Sequence, residues 1–267
     1  MRALGLIGLV VVLVLAGAVP APAQDEPRWS LATSVNYSIG DYGTGKDTTI
    51  LYVPFTLGVR PIDRLWLSLT VPYIYISGEN VVLTGGGVAA RKRGNGKLAR
   101  PDDSSSESGL GDVLVKVSYV ALPEQTLIPE IVPWLKIKAP TADEDRGLGT
   151  GEFDETLGVD LSKRLVDRVV GFLTLSYTFI GDPPGTNLRN SFGWSVGGAY
   201  EVTRPFSVFA FLDGSTAVTP GQTDPVELRL GAEYALMRGL KLMGSVTRGL
   251  TDGAADWGVS AGVALRF

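Results

Sequence analysis

Apolar and polar residues alternate along most of this chain with a period of two, the pattern of a strand with one apolar and one polar face. The alternation is cleanest over 29–39. There Trp29, Leu31, Thr33, Val35, Tyr37 and Ile39 share one parity, and Ser30, Ala32, Ser34, Asn36 and Ser38 share the other. It returns at the end of the chain, where Trp257, Val259, Ala261, Val263, Leu265 and Phe267 alternate with Gly258, Ser260, Gly262, Ala264 and Arg266. Between these two stretches the pattern predicts strands over 48–60, 65–75, 109–120, 127–138, 151–163, 169–179, 192–202, 206–217, 226–236 and 240–247. That makes about twelve strands, most of roughly the ten residues that a tilted membrane-crossing strand needs. The window 206–217 is the least regular, because Phe209 and Phe211 oppose Phe206, Val208 and Leu212. Pro54 and Pro72 sit on the polar parity. Proline has no N–H to give a ladder, so each predicts a bulge or a local break.

The connections alternate short and long. Short turns fall at 61–63, 123–126, 165–167, 203–205 and 237–239. The longest connection, 77–108, holds Gly85-Gly86-Gly87, the basic run Arg91-Lys92-Arg93 and a serine-rich acidic stretch. A soluble β-sandwich also has short strands and frequent turns. It does not account for the strict alternation of connections, or for charges gathered on the parity opposite the aliphatic and aromatic one. A bilayer supplies no water to backbone groups, so only helices or a closed barrel can cross it. A barrel there is inverted, apolar outside and polar inside. The fold expected is therefore all-β, a transmembrane antiparallel up-and-down β-barrel of about twelve strands over 24–267. An even strand number puts both termini on the short-turn, periplasmic side.

The inward parity then carries the candidate lumen-lining residues. They are Asp112, Lys116, Glu130, Lys136, Lys138, Glu152, Asp154, Asp160, Glu201, Asp213, Glu227, Arg229, Glu233, Lys241 and Arg266, with Trp66 and Trp134 as candidate contacts for an apolar solute. Twelve strands lie between the filled eight-stranded barrel and the open porins. These charges either pair with one another across a plugged interior or line a path through it, and the pattern allows both. Trp29, Tyr37, Tyr73, Tyr75, Tyr119, Tyr177, Phe179, Trp194, Tyr200 and Trp257 fall mostly toward strand ends, as interfacial girdles do.

Composition narrows the chemistry. Mean hydropathy is slightly positive at +0.18, yet no long apolar run follows the first twenty or so residues, so the hydrophobicity is spread through strands. A net charge of −4 gives no reason to expect a nucleic-acid partner. The chain has no His, which removes Ser–His triads, His metal sites and His general bases. It has no Cys, which removes disulfides and a lipoprotein anchor. Neither an enzyme nor a cofactor is expected. Arg2, an apolar segment over 4–19 and Ala21-Pro22-Ala23 have the form of a cleaved signal peptide over 1–23. Gly147-Leu148-Gly149-Thr150-Gly151 precedes a strand and lacks a following Lys, so it is a hinge and not a phosphate loop. Asp143-Glu144-Asp145-Arg146 lacks calcium-loop spacing and is a solvated tip. Arg91-Lys92-Arg93 with Lys97 either meets lipopolysaccharide phosphates or is simply solvated.

Two segments resemble a known family. One is Gly109-Leu110-Gly111-Asp112-Val113, continuing as LVKVSYVAL; the other is Lys136-Ile137-Lys138-Ala139-Pro140-Thr141 with GLGTGEFDETLGVDLSK at 147–163. Together they are similar to the outer-membrane family named after the meta-pathway of phenol degradation. That resemblance implies a transporter or channel for hydrophobic or aromatic compounds and supplies no catalytic residues. The terminal Phe267 resembles the assembly signal of outer-membrane barrels. The expectations are an outer-membrane location, with lipid, lipopolysaccharide, the barrel-assembly machinery and a small solute as partners. A structural or adhesive barrel acting through 77–108 is the alternative function.

Overall fold

The computed structural model describes residues 27–43, 45–78, 81–84, 87–90 and 106–267. The signal-peptide segment 1–23, the basic run 91–93 and Lys97 lie outside the described residues.

The strands are β1 (Trp29–Gly40), β2 (Thr48–Ile62), β3 (Leu65–Ser77), β4 (Val81–Thr84), β5 (Gly87–Ala90), β6 (Ser106–Leu110), β7 (Val113–Tyr119), β8 (Glu130–Ala139), β9 (Asp154–Val166), β10 (Val169–Ile180), β11 (Ser191–Thr203), β12 (Phe206–Ser215), β13 (Val226–Met237), β14 (Leu240–Gly249) and β15 (Trp257–Arg266). β4 and β5 form a hairpin of their own inside the connection 78–105. All the others belong to one antiparallel sheet that closes on itself. β6 and β7 both pair with β3 and are two halves of one interrupted strand, so the barrel has twelve staves.

Closure joins the two most regular stretches of the sequence. β1 pairs with β15 from Ser30↔Arg266 to Ile39↔Trp257, and Trp29 and Phe267 exchange two backbone hydrogen bonds of 2.9 and 3.0 Å. No sheet edge is left unpaired along this seam, which is what spanning a bilayer requires. Partners in register share a face. The face holding Phe55, Leu57, Leu69, Leu157, Tyr177, Tyr200, Leu230, Tyr234, Val246 and Val259 is exposed and apolar all round the barrel. A soluble protein would bury such a surface, whereas lipid covers it here.

Long and short connections fall at opposite ends, as the alternation implies. The short ones are two-residue turns at 63–64, 167–168, 204–205 and 238–239. The connection 120–129 departs from the expected four-residue turn. Strand β8 starts at Glu130 and not at Leu127, and only a bridge from Leu122 to Ile131 extends the pairing. Pro123 and Pro129 each lack a donor there, and Leu127 is 91% exposed. The strand expected over 109–120 is cut at Gly111–Asp112. Pro72 explains the cut, and Pro54 makes a matching gap between β1 and β2. They face each other in β2–β3 without a register shift, so neither makes a bulge in that pair. Each instead interrupts the ladder on its other side. The β1–β2 register skips Pro54, and β3 changes partner from β7 to β6 across Pro72.

Candidate functional site: the lumen and its mouth

The inner face is set by register. Trp66↔Ser118, Ser68↔Lys116, Lys116↔Lys136, Trp134↔Gly158, Val132↔Asp160, Thr174↔Asp160, Ser195↔Asp213, Asp213↔Glu227 and Phe211↔Arg229 carry one face from β3 to β13. Glu130, Asp154, Glu201, Glu233, Lys241 and Arg266 share it through their own pairs. Glu152 lies outside the strands, in the connection 140–153, and Asp112 sits in the gap between β6 and β7.

Many of these charges meet. Arg229 grips Asp213 through Nε at 3.0 Å and Nη2 at 3.1 Å, a bidentate fork, and Ser195 Oγ donates to the same carboxylate. Lys241 pairs with Glu233 at 2.6 Å, and Lys116 with Asp160 at 3.8 Å. These pairs are part-exposed to the lumen, so each contributes no more than about 1 kcal/mol. They cancel charge along the wall without crossing and blocking the interior, because each joins strands that are adjacent or nearly so.

The wall is also aromatic. The period-two argument assigned apolar residues to the outer face, and β12 breaks it. Phe209↔Gly231 and Phe211↔Arg229 place both rings inside, with Phe172 of β10 beside them at 5.8 Å from Phe211. A Cβ at Gly197 or Gly231 would collide with Phe211 or Phe209, and a Cβ at Gly158 would collide with the indole of Trp134. Glycines on neighbouring strands therefore let these rings lie against the wall and leave the bore clear. Cations cover several of them: Lys116 stands 4.3 Å over Trp134, Arg229 5.0 Å over Phe211, and Arg60 and Arg266 about 6 Å from Trp66. Trp66 and Trp134 were legible from parity. Phe172, Phe209 and Phe211 were not, and the irregularity of 206–217 was the available signal.

At the loop end the mouth is partly filled. Ile50, Ile74 and Ile76 point inward and pack with Tyr42, Leu148 and Ala255 from three different connections. Burial there pushes the Tyr42 hydroxyl up to about 12, with Ser38 as its hydrogen-bond partner at 2.7 Å. The connection 140–153, which carries Leu148, is tied down by a buried ion cluster. Lys138 Nζ lies 3.2 Å from Asp112, 3.1 Å from Asp154 and 2.8 Å from Thr150 Oγ1, and Lys138 is 3% exposed. The Asp112 Oδ2 contact is an ion pair without hydrogen-bond alignment. Asp112 Oδ1 accepts from the backbone N–H groups of Thr141 and Ala142, and Asp154 accepts from that of Gly181. A Cβ at Gly149 would press on the Asp112 carboxylate. The two segments that carry the family resemblance thus meet in space, and their residues Asp112, Lys138, Thr141, Gly149, Thr150 and Asp154 form one lock.

The filled side is that of β1–β3. On the side of β10–β13 a cavity of about 490 Å³ remains, bounded by the inner wall and by residues of the connections 216–225 and 250–256. Its wall continues down β12 to Phe211 and Phe209. Among the described residues no group of His, Cys, Asp and Glu has a metal-holding arrangement.

A closed antiparallel barrel with an apolar exterior and a charged, aromatic interior defines a β-barrel of the outer-membrane type. Solved structures share this architecture. The COG4313 outer membrane channel from Pseudomonas putida F1 matches with a TM-score of 0.70 at 15% identity, over 92% of this chain and 97% of that one. The NanC porin matches with a TM-score of 0.57 at 11% identity, over 89% and 100%. The translocator domain of the autotransporter NalP from Neisseria meningitidis matches with a TM-score of 0.56 at 8% identity, over 91% and 90%. No curated protein matches by sequence. The profile of the family described as "Putative MetA-pathway of phenol degradation" matches residues 55–267, and the chain belongs to that family.

Proposed function

We propose that this protein is an outer-membrane channel for small, apolar or aromatic molecules, and that solutes pass through the lumen along β10–β13. The observation that carries this is the inner wall. Phe172, Phe209 and Phe211 sit inside a barrel whose charges are largely paired, and glycines hold the bore open beside them. An apolar solute entering a purely charged bore would displace bound water and gain nothing. Aromatic faces return part of that cost through contact and stacking. The named charged residues, from Lys116 to Arg266, line this passage in our reading, while Asp112, Lys138 and Asp154 hold its mouth in shape.

The same reading places the short turns and both termini in the periplasm, with export by a cleaved signal peptide over 1–23. Phe267 serves the barrel-assembly machinery, and lipid and lipopolysaccharide surround the outer face. Reconstitution into liposomes tests the channel. Purified protein is expected to admit benzyl alcohol faster than a sugar of similar size, and Phe211→Ala with Phe209→Ala is expected to reduce that preference. Absence of flux for every solute tried overturns the proposal.

A further inference from the structure

The cavity at the mouth has a chemistry of its own. Glu227, Thr174, Ser176 and Ser195 line its floor, and Val218 and Ala254 are among the residues of its apolar roof. Two carboxylates reach it, Asp213 and Glu227, which face each other across β12–β13. Asp213 is committed to the guanidinium fork of Arg229 and to Ser195. Glu227 has no hydrogen-bond or ion-pair partner among the described residues, and no Lys or Arg among them lines the cavity. Arg229, two residues along the same face, is engaged by Asp213 and stands over Phe211, and it makes no ion pair with Glu227.

We infer that this cavity is a binding site for small solutes that carry an ammonium group on an apolar ring or chain. The ammonium meets the Glu227 carboxylate and the hydroxyls of Thr174, Ser176 or Ser195. The apolar part lies under Val218 and Ala254. A carboxylate meets the like charge of Asp213 and Glu227, and the hydroxyls of Thr174, Ser176 and Ser195 already donate to Asp160, the Gly193 carbonyl and Asp213, so it is turned away. A charge-assisted hydrogen bond of this kind is about twice as strong as a neutral one, and the expected preference for cation over neutral analogue is roughly tenfold. The inference rests on the reading of the lumen as a passage, since it assigns selectivity to the entrance of that passage.

The test is equilibrium binding to the purified full-length barrel in detergent, by calorimetry at neutral pH. Three probes share one ring: benzylammonium, benzyl alcohol and benzoate. Benzylammonium is expected to bind about tenfold tighter than the alcohol, with benzoate weakest. Glu227→Gln should bring benzylammonium down to the level of the alcohol, and Glu227→Asp should keep part of the preference. Retained heat-modifiable migration shows that each variant is folded. Equal affinities, tighter benzoate, no binding by any probe, or an unchanged Glu227→Gln protein each overturn the inference. Binding without flux leaves it standing and removes the channel proposal. Flux without the binding preference does the reverse.

Discussion

Replacing Lys138 by Met removes the ammonium that two buried carboxylates share. Met keeps the length and volume of the stem, so the change is mainly one of charge. Asp112 and Asp154 then lose the ammonium that stands between them, and Thr150 loses its hydrogen bond from Lys138. Removing one member of a buried ion pair costs about 3–5 kcal/mol. The strands at this point remain paired by backbone bonds, so the cost falls on what the cluster ties down, the connection 140–153. At about 1.4 kcal/mol per decade, detachment of that connection becomes roughly 10²-fold more favourable or beyond. Detachment withdraws Leu148 from the apolar cluster, releases Arg146 from Glu107, which holds it at 2.9 Å, and uncovers the buried Gly147 that follows it. Limited trypsin digestion reads the open population at the Arg146–Gly147 bond when opening and closing are fast. Cleavage there should accelerate by roughly two orders of magnitude, and single-channel conductance should rise and become noisier. The triple change Asp112→Asn, Lys138→Met and Asp154→Asn removes the charges together and keeps the amide acceptors, so it should restore most of the protection. Unchanged cleavage and conductance in Lys138→Met would refute the lock.

Other consequences can be checked separately. Gly158→Ala should push the Trp134 indole into the bore, because a Cβ there collides with the ring, and single-channel conductance should fall while the protein still folds. Deleting Phe267 removes both of its backbone bonds to Trp29 and is expected to lower the yield of heat-modifiable barrel in the membrane far more than it alters the conductance of barrels that do form. Tyr42 should titrate near 12 in the folded protein, against an ordinary value of 10.0. Its folded value is raised, so its stabilising effect is present below the ordinary value and is lost as pH rises through 12. Phenolate absorbance that appears at the ordinary value would contradict the burial of Tyr42.

Periodicity made the barrel legible because lipid imposes one rule on every stave. Leu31, Phe55, Leu157 and Val246 obey it, and so do the paired charges opposite them. The interior answers to no single rule. Phe209 and Phe211 break the pattern because a lumen accepts rings where a membrane does not accept charges. Ile50, Ile74 and Ile76 lie on the inner parity for another reason: connections from 42, 148 and 255 fold in to meet them, which no local window reveals. The break at Gly111–Asp112 follows from Pro72 on a strand about forty residues earlier. The lock of Asp112, Lys138 and Asp154 was visible only as two short motifs. Their shared purpose required the register that brings Lys138 opposite Asp154.

The seam between the first and last strands sets an order in time. β1 is made early in synthesis, yet its partner β15 is made about 220 residues later, and Ser260 Oγ donates to Asn36 Oδ1 across 224 residues of sequence. Until Phe267 has been delivered, the edge of β1 that will meet β15 is an open template for any passing strand. Pairing this distant is slow, because the ends of a long chain must first find each other. On the export route proposed above, the polypeptide would cross the periplasm with an adhesive edge, and closing the seam quickly would matter before any solute could pass.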